Sequence, residues 1–210
     1  GSKMAFEFYV DVRVIESADT VDLSLPTIRN QIYAVLHGTF RALALVDKSP
    51  YAIALVASPK LKAKQADFEK KYGKSPRFDF DIFRVFSDSS EALQRLVDSI
   101  SQHWKVRDYS VVGTPTPVPT AKITGWQSYR RFRIPTAKME RTQLSDNNVP
   151  LRERRLATAK DLPYLKVASK STGQVFTLTI DIVPMENAGD GVPDGYGLAR
   201  ASQPFALPIF

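Results

Sequence analysis

The alternation of apolar and polar residues near the start of the chain predicts a strand followed by a helix. Every second residue from Phe6 to Val14 is apolar, which is typical of a strand with one buried face. After Pro26, a residue favoured in the first turn of helices, apolar side chains recur at helical spacing. We therefore expect a strand over residues 5–15 and a helix over residues 27–46.

Further apolar segments extend this order toward the middle of the chain. The predicted elements are strands over 51–57, 77–86 and 108–113 and a helix over 92–100. Residues 60–75 are rich in lysine and include Gly73, so we interpret them as an exposed excursion and assign no element there. The order strand, helix, strand, strand, helix, strand predicts a ferredoxin-like (RRM-like) domain over residues 4–113. Single-strand RNA binders use this arrangement, and so do unrelated enzymes and regulators.

A proline-rich segment separates this domain from the rest of the chain. Residues 114–121 contain the sequence TPTPVPT and are predicted to be an extended linker. Beyond it we expect strands over 164–169 and 175–183, joined by a polar hairpin turn, and an arginine-bearing helical segment within 136–160. The predicted fold class is therefore α+β, with a smaller, β-rich C-terminal part over residues 122–210.

The distribution of charge indicates a polyanionic partner. The chain carries a net charge of +7. Residues 122–170 hold 12 basic and 4 acidic residues, so the net charge of this segment, +8, exceeds that of the whole chain. Such a basic block favours nucleic acid or an anionic membrane surface, with a merely solvated surface as the alternative. No stretch approaches the apolar length of a membrane-spanning helix, so no transmembrane segment is expected.

The basic block mixes arginines with aromatic residues. Arg130, Arg131 and Arg133 stand beside Tyr129 and Phe132. Arginine forks bind phosphates and guanine edges, and aromatic rings stack on bases. A second group of arginines further along the block consists of Arg141, Arg152, Arg154 and Arg155.

The composition excludes several kinds of chemistry. There is no cysteine, so disulfides, thiolate metal sites and a cysteine nucleophile are absent, and the reducing cytoplasm is the expected location. The first four residues do not look like a signal peptide and resemble an expression remnant before a natural Met4. With two histidines, no phosphate-binding glycine loop and no calcium-type spacing of acids at residues 190–195, we expect neither a metal nor a cofactor.

The remaining histidine, hydroxyls and arginines suit RNA cleavage without a metal. In that reaction the 2′-hydroxyl of the substrate attacks the adjacent phosphate, and the protein supplies proton transfer and geometry. Tyr33, His37 and Arg41 are spaced four residues apart beside the apolar stripe of the first helix. A lone helical histidine is usually structural, so the residues alone leave the role of His37 open. His103, at the end of the second predicted helix, is explained by capping of that helix.

Three sequence elements are characteristic of one known family. They are LPYLKVASKSTGQVFTLTI over 162–180, Gly-Tyr-Gly-Leu over 195–198 followed by an aromatic C-terminus, and I-x-x-x-I-Y-x-x-L-H over 28–37. With them the chain resembles the type I-F CRISPR repeat endoribonuclease, which cuts precursor CRISPR RNA at the base of a repeat hairpin. The resemblance covers most of the chain and is patchy over 47–80 and 136–160.

The resemblance implies roles for individual residues. It puts the catalytic histidine at His37, the catalytic serine at Ser169 and the active-site tyrosine at Tyr196. The aromatic that stacks under the hairpin would be Phe176, although strand alternation by itself would bury that side chain. The implied RNA-binding residues, besides Phe176, are Arg130, Arg131, Arg133, Arg141, Arg152, Arg154, Arg155, Lys170 and Ser171. At position 133 the family usually has glutamine.

The same resemblance implies the partners and leaves some alternatives open. A four-residue shift would put Arg41 in the place of His37, but the preceding apolar pattern favours His37. The implied partners are the stem-loop RNA of the CRISPR repeat, before and after cutting, and other subunits of a type I-F surveillance complex, with no membrane. The alternatives are a non-catalytic RNA-binding subunit that caps a guide RNA, and a ferredoxin-like module whose basic block binds an acidic protein.

Overall fold

The structure, a computed structural model, describes residues 6–16, 23–46, 50–134, 151–169 and 171–210. The helices are α1 (Leu25–Ala44), α2 (Pro59–Tyr72), α3 (Ser90–Ile100), α4 (Trp104–Tyr109) and α5 (Leu151–Ala159). The strands are β1 (Phe8–Val14), β2 (Ala52–Val56), β3 (Ile82–Ser87), β4 (Ser110–Val112), β5 (Thr116–Pro117), β6 (Gly125–Arg131), β7 (Tyr164–Ala168), β8 (Val175–Met185) and β9 (Leu207–Ile209). Helices and antiparallel sheets in one chain confirm the predicted α+β class.

The first sheet holds the strands of the N-terminal part in the order β2-β3-β1-β4, and β5 pairs with the start of β1. All these pairs are antiparallel. Val10 and Val12 of β1 are fully buried opposite Val85 and Phe83 of β3, because alternate residues of a strand share one face. Helices α1 and α3 pack on this sheet. The ferredoxin-like assignment remains an interpretation of this strand order, and the domain limits remain predictions.

Residues 60–75 are largely exposed, as expected, but the assignment of no element there is wrong, because most of this segment folds as α2. The Ser58 hydroxyl accepts a hydrogen bond from the Leu61 amide at 3.2 Å, and Pro59 lies in the first turn. Gly73 ends the helix in the left-handed conformation, with φ of 66°. These are the ordinary signals for the start and end of a helix. Since no residue of α2 is buried, local caps rather than core packing define its limits.

His103 caps a different helix from the expected one. Its Nδ1 accepts a hydrogen bond from the Lys105 amide at 3.2 Å, so the residue is the N-cap of α4. Ser101 occupies the C-cap of α3. The short α4 follows α3 so closely that the sequence pattern does not separate the end of one helix from the start of the next.

The second sheet has the order β7-β8-β6-β9 and joins the first half of the molecule through one continuous core. The Lys166 amide of β7 donates to the Asn30 Oδ1 of α1 at 2.9 Å. The Phe6 and Phe205 rings lie 5.4 Å apart, between their centroids, at another contact of the two halves. The hairpin of β7 and β8 is therefore held against α1, and the candidate site lies at that junction.

Candidate active site

A cleft between α1 and the β7–β8 hairpin collects side chains that are far apart in the sequence. Its volume is about 320 Å³. The lining residues are His37, Arg41, Val167, Ala168, Ser169, Ser171, Phe176 and Tyr196. All three residues that the resemblance implies to be catalytic thus lie in one cleft, and their catalytic roles stay predictions.

The imidazole of His37 is positioned by two aromatic rings. It lies nearly parallel to the Tyr196 ring, with centroids 4.6 Å apart and an interplanar angle of 12°. It is also nearly parallel to the Tyr33 ring, one turn earlier on α1, at 6.1 Å and 9°. Stacking occupies the faces of an imidazole, whereas its nitrogens lie on the ring edge. The contacts therefore fix the plane of the ring without using the atoms that carry protons.

Tyr33 is a site residue that the sequence analysis did not identify as such. It is buried, and its hydroxyl donates a hydrogen bond to the Tyr196 carbonyl oxygen at 2.9 Å. Burial raises the pKa of Tyr33 well above its usual value, with Asp194 and Tyr196 adding to the rise and Arg131 opposing it. Tyr33 is therefore a neutral donor. The spacing of Tyr33 one helical turn from His37 was the signal that could have revealed it.

Asp194 is the second site residue that the sequence analysis missed. Its Oδ1 accepts hydrogen bonds from the Tyr196 amide at 2.9 Å and from the Leu198 amide at 3.0 Å. A carboxylate that binds amides two and four residues ahead stabilises a turn. The sequence signal was an aspartate just before the Gly-Tyr-Gly-Leu element, since aspartate side chains often accept hydrogen bonds from amides that follow them in a turn.

The loop that carries Tyr196 is attached to both sheets. The Gly197 carbonyl accepts a hydrogen bond from the Ile53 amide of β2 at 2.9 Å, and the Ala199 amide donates to the Tyr129 carbonyl of β6 at 2.8 Å. Gly197 has φ of 82°, in the left-handed region that favours glycine. Tyr196 is consequently held over His37 by a loop with two backbone anchors.

Ser169 lies at the turn of the β7–β8 hairpin. Its amide donates to the Gln174 carbonyl and its own carbonyl accepts from the Gly173 amide, both at 2.8 Å. The Ser169 and Ser171 hydroxyls are 3.1 Å apart and both line the cleft. The hairpin therefore presents a pair of hydroxyls on the side of the cleft opposite α1. Lys170, between them, lies outside the described residues.

An arginine and two aromatic rings form the wall beside these groups. The guanidinium carbon of Arg131 lies 5.5 Å from the centroids of both the Phe176 and the Tyr196 rings. The two rings meet edge to face at 6.3 Å. Phe176 is half-buried, so it packs on its neighbours as alternation requires while part of its ring lines the cleft. Cation–π contact of this kind orders the arginine.

Arg130 does not join this cluster. Neighbouring residues of a strand point to opposite faces, and Arg130 lies on the face away from Arg131. There it donates to the Ser128 hydroxyl at 3.1 Å and to the Met185 Sδ at 3.7 Å. Their proximity in the sequence predicts one RNA-binding group, whereas only Arg131 contacts the two aromatic rings that line the cleft.

Of the remaining predicted arginines, Arg133, Arg154 and Arg155 are described with their side chains, and none of these three lines the cleft. Arg155 places its guanidinium 4.8 Å from the Phe132 ring centroid and donates to the Arg133 carbonyl at 3.2 Å. Arg133 and Arg154 are exposed. Arg141 lies outside the described residues, and of Arg152 only the backbone within α5 is described. Arg155 thus ties α5 to the segment that follows Arg131.

Two other kinds of feature are absent from the described ranges. No group of three or more histidine, aspartate or glutamate side chains in them could hold a metal ion. No helix in those ranges has both the length and the apolar character needed to cross a membrane.

Comparison with known proteins gives one match that covers nearly the whole chain. The family model of the CRISPR-associated protein Cas_Csy4 matches residues 9–210. That range includes both sheets except Phe8, the first residue of β1, and every residue that lines the cleft. A search of the curated proteins finds no match.

Proposed function

Because this chain belongs to the Cas_Csy4 family of CRISPR-associated, repeat-processing proteins, we propose that it is a metal-independent endoribonuclease. Its substrate is precursor CRISPR RNA, and it binds the repeat stem-loop and cuts at the base of the hairpin. The observation that carries this proposal is the meeting of His37, Ser169 and Tyr196 in one cleft beside Arg131. Proton transfer, ribose positioning and base contact can all occur there.

The reaction needs only the substrate and the side chains of the cleft. The 2′-oxygen at the cut forms a bond to the adjacent phosphorus, and the bond from phosphorus to the 5′-oxygen breaks. His37 accepts the 2′-hydroxyl proton and passes it to the departing 5′-oxygen, which leaves as a 5′-hydroxyl. The other product end is a 2′,3′-cyclic phosphate. Ser169 orients the ribose for in-line attack, since correct orientation accounts for much of such a rate enhancement.

The aromatic and basic groups hold the hairpin in this position. Phe176 stacks at the base of the stem, and Arg131 and Arg133 contact base edges or phosphates near the cut. The arginines of α5, with Arg154 exposed, neutralise stem phosphates. Affinity should therefore fall steeply as salt is raised.

After cutting, the protein keeps the mature CRISPR RNA and acts as a subunit of a type I-F surveillance complex. This part of the proposal is supported by the family alone. A cytoplasmic location is proposed because the chain contains no cysteine, as suits a reducing compartment.

The test is cleavage of labelled cognate repeat RNA with and without EDTA. We expect equal cutting in both, and mass spectrometry should find the cyclic phosphate on the upstream product. His37→Ala should abolish the product, whereas Arg41→Ala, a change in the same cleft, should leave cutting in place. Comparison of these two variants decides whether His37 or Arg41 occupies the position of the family's catalytic histidine.

Three results would contradict the proposal. Chelation could remove the activity, His37→Ala could cut as well as the wild type, or the wild type could bind the hairpin tightly without cutting it at any pH. The last result would favour a non-catalytic subunit that caps a guide RNA.

A further inference from the structure

Helix α2 presents its side chains to solvent, and its C-terminal end is both basic and aromatic. From Phe68 to Phe78, every residue except Pro76 is exposed. We name residues 68–78 the α2 surface. It contains four cations, one acid and three aromatic residues, namely Lys70, Lys71, Lys74, Arg77, Glu69, Phe68, Tyr72 and Phe78.

The aromatic residues of the α2 surface are arranged before any ligand binds. Phe68 and Tyr72 are 42% and 56% exposed, and their ring centroids lie 4.7 Å apart. The Lys71 ammonium lies 5.4 Å from the Tyr72 centroid. Phe78 is 45% exposed and stacks on the buried Phe80 at 6.2 Å. Exposing rings of this size to water is unfavourable, so a ligand that covers them gains free energy.

The α2 surface lies close to the elements that carry the RNA site. The Arg77 Nε is 3.9 Å from the Asp161 Oδ1, and Asp161 follows the end of α5. Arg29 of α1 forms an ion pair with Asp79 and places its guanidinium 4.3 Å from the Phe80 ring. Arg29 precedes His37 by two helical turns, about 12 Å along α1. The surface is thus adjacent both to α5 and to the helix that carries His37.

We propose that the α2 surface binds single-stranded RNA that continues from the base of the repeat hairpin. Cations beside exposed aromatic rings are the combination that holds a single strand, because lysines contact phosphates while unpaired bases stack on rings. The bases of a duplex are already stacked on one another, so the hairpin stem could contact the lysines of the α2 surface but not its aromatic rings. The surface guides the flanking strand away from the cleft. The inference rests on the proposed function, since it takes the hairpin to be the RNA bound in the cleft.

The test compares two RNAs: the hairpin alone and the same hairpin with a single-stranded extension. Affinity is measured by fluorescence anisotropy in the full chain carrying His37→Ala, so that neither RNA is cut. Combined Lys70→Ala, Lys71→Ala and Lys74→Ala should weaken binding of the extended RNA about tenfold. The binding constant of the extended RNA should also become less dependent on salt. The magnitude of the slope of its logarithm against log salt should fall by about 2, since each of the three lost phosphate contacts accounts for roughly 0.7. Binding of the hairpin alone should change less than about twofold.

The chain supplies a matched control on the same helix. Combined Lys60→Ala, Lys62→Ala and Lys64→Ala removes the same number of charges from the N-terminal half of α2 and should leave both affinities within about twofold. Alanine favours helix, so neither triple variant should unfold α2, which circular dichroism checks. Separately, Phe68→Leu with Tyr72→Leu keeps apolar side chains without rings and should weaken the extended RNA at least about fivefold.

The proposal is overturned if the hairpin alone loses as much affinity as the extended RNA, because the contact would then be to the stem. Equal losses from the two lysine triples would also overturn it, since only the total charge would matter. Unchanged RNA affinity in all variants would leave an acidic protein as the better occupant. Failure of the proposed function looks different: the wild type would bind the hairpin without cutting it.

Discussion

The catalytic histidine proposed here is positioned by ring stacking and by a chain of contacts that runs through Tyr196. Tyr33 donates to the Tyr196 carbonyl, and the Tyr196 ring lies against His37. Arg131 contacts the same ring from another direction. The arginine proposed to bind RNA and the histidine proposed to move a proton therefore share one neighbour, yet their substitution should have separable effects.

At this scale the first prediction separates chemistry from binding. His37→Ala should lower the cleavage rate by at least about 10²-fold, the usual contribution of a positioned acid–base group, with hairpin affinity unchanged. Arg131→Ala should weaken hairpin binding by about 1–3 kcal/mol. Arg130→Ala is the matched control, because its side chain lies on the other face of β6. Single-turnover cleavage and anisotropy measure the two effects, and equal affinity losses from all three variants would refute the assignment.

The second prediction concerns Tyr33 as a positioning residue. Tyr33→Phe keeps the ring beside His37 but removes the hydrogen bond to the Tyr196 carbonyl, worth about 1 kcal/mol. The cleavage rate should fall about fivefold to tenfold, with RNA affinity unchanged. Because burial raises the pKa of Tyr33 well above its usual value, its hydroxyl stays protonated at working pH. The rate–pH profile should therefore keep its shape, and a changed profile would show that Tyr33 takes part in proton transfer.

At the scale of an element, the Gly-Tyr-Gly-Leu loop depends on one glycine and not on the other. A Cβ at Gly197 would lie 3.0 Å from the Ile53 Cγ1 and 3.3 Å from the Phe40 Cε2, on a backbone with positive φ. A Cβ at Gly195 would meet nothing within 4 Å. The loop therefore needs glycine at 197 so that it can approach β2 closely and hold Tyr196 over the cleft.

We accordingly expect Gly197→Ala to destabilise the protein by about 1–2 kcal/mol, the cost of a left-handed residue with a Cβ. It should also reduce cleavage at least about tenfold, because displacing a positioning loop by a fraction of an ångström disturbs the geometry. Gly195→Ala should be close to neutral in both respects. Thermal unfolding and single-turnover cleavage test this pair, and equal effects of the two changes would show that the close approach to β2 is unimportant.

At the scale of the whole molecule, the two sheets meet around Tyr129. Tyr129 belongs to β6, and its hydroxyl donates to the Gln127 Oε1 at 3.0 Å. Burial raises the pKa of Tyr129 from 10.0 to about 12, while Arg84 and the Leu55 backbone of β2 partly oppose this rise. Burial between the two sheets therefore disfavours ionisation of the Tyr129 hydroxyl in the folded protein.

This gives a prediction for stability at high pH. Below pH 10 Tyr129 is neutral in both the folded and the unfolded chain, so its contribution is fully present. Between about pH 10 and 12 the unfolded chain ionises first, and the free energy of unfolding should fall by roughly 2–3 kcal/mol on account of this group. In the Tyr129→Phe variant, the free energy of unfolding should fall less over the same pH range, by that amount. Urea titrations at a series of pH values measure it. The exposed Tyr164→Phe is the control, and identical declines in all three proteins would contradict the assignment.

Local sequence signals predicted most elements and missed those that depend on few residues. Strand β1 and helices α1 and α3 follow apolar periodicity because each buries one face, whereas β2 and β3 are short apolar runs that are buried on both faces. Helix α2 buries nothing, so its only signals were Ser58 with Pro59 at its start and Gly73 at its end. Charge likewise located the basic block, but it did not distinguish Arg130 from Arg131, whose opposite directions follow from the pleat of β6.

The sequence by itself determined the α+β class, the position of the basic block and, through its resemblance, His37, Ser169 and Tyr196 as the residues to examine. These depend on periodicity, composition and short motifs, which are local properties. Only the tertiary structure brought Tyr33 and Asp194 into the site and placed Arg131 over Phe176 and Tyr196. The physical reason is that stacking, burial and backbone anchoring join residues distant in sequence, and those contacts exist only once both sheets have packed around α1.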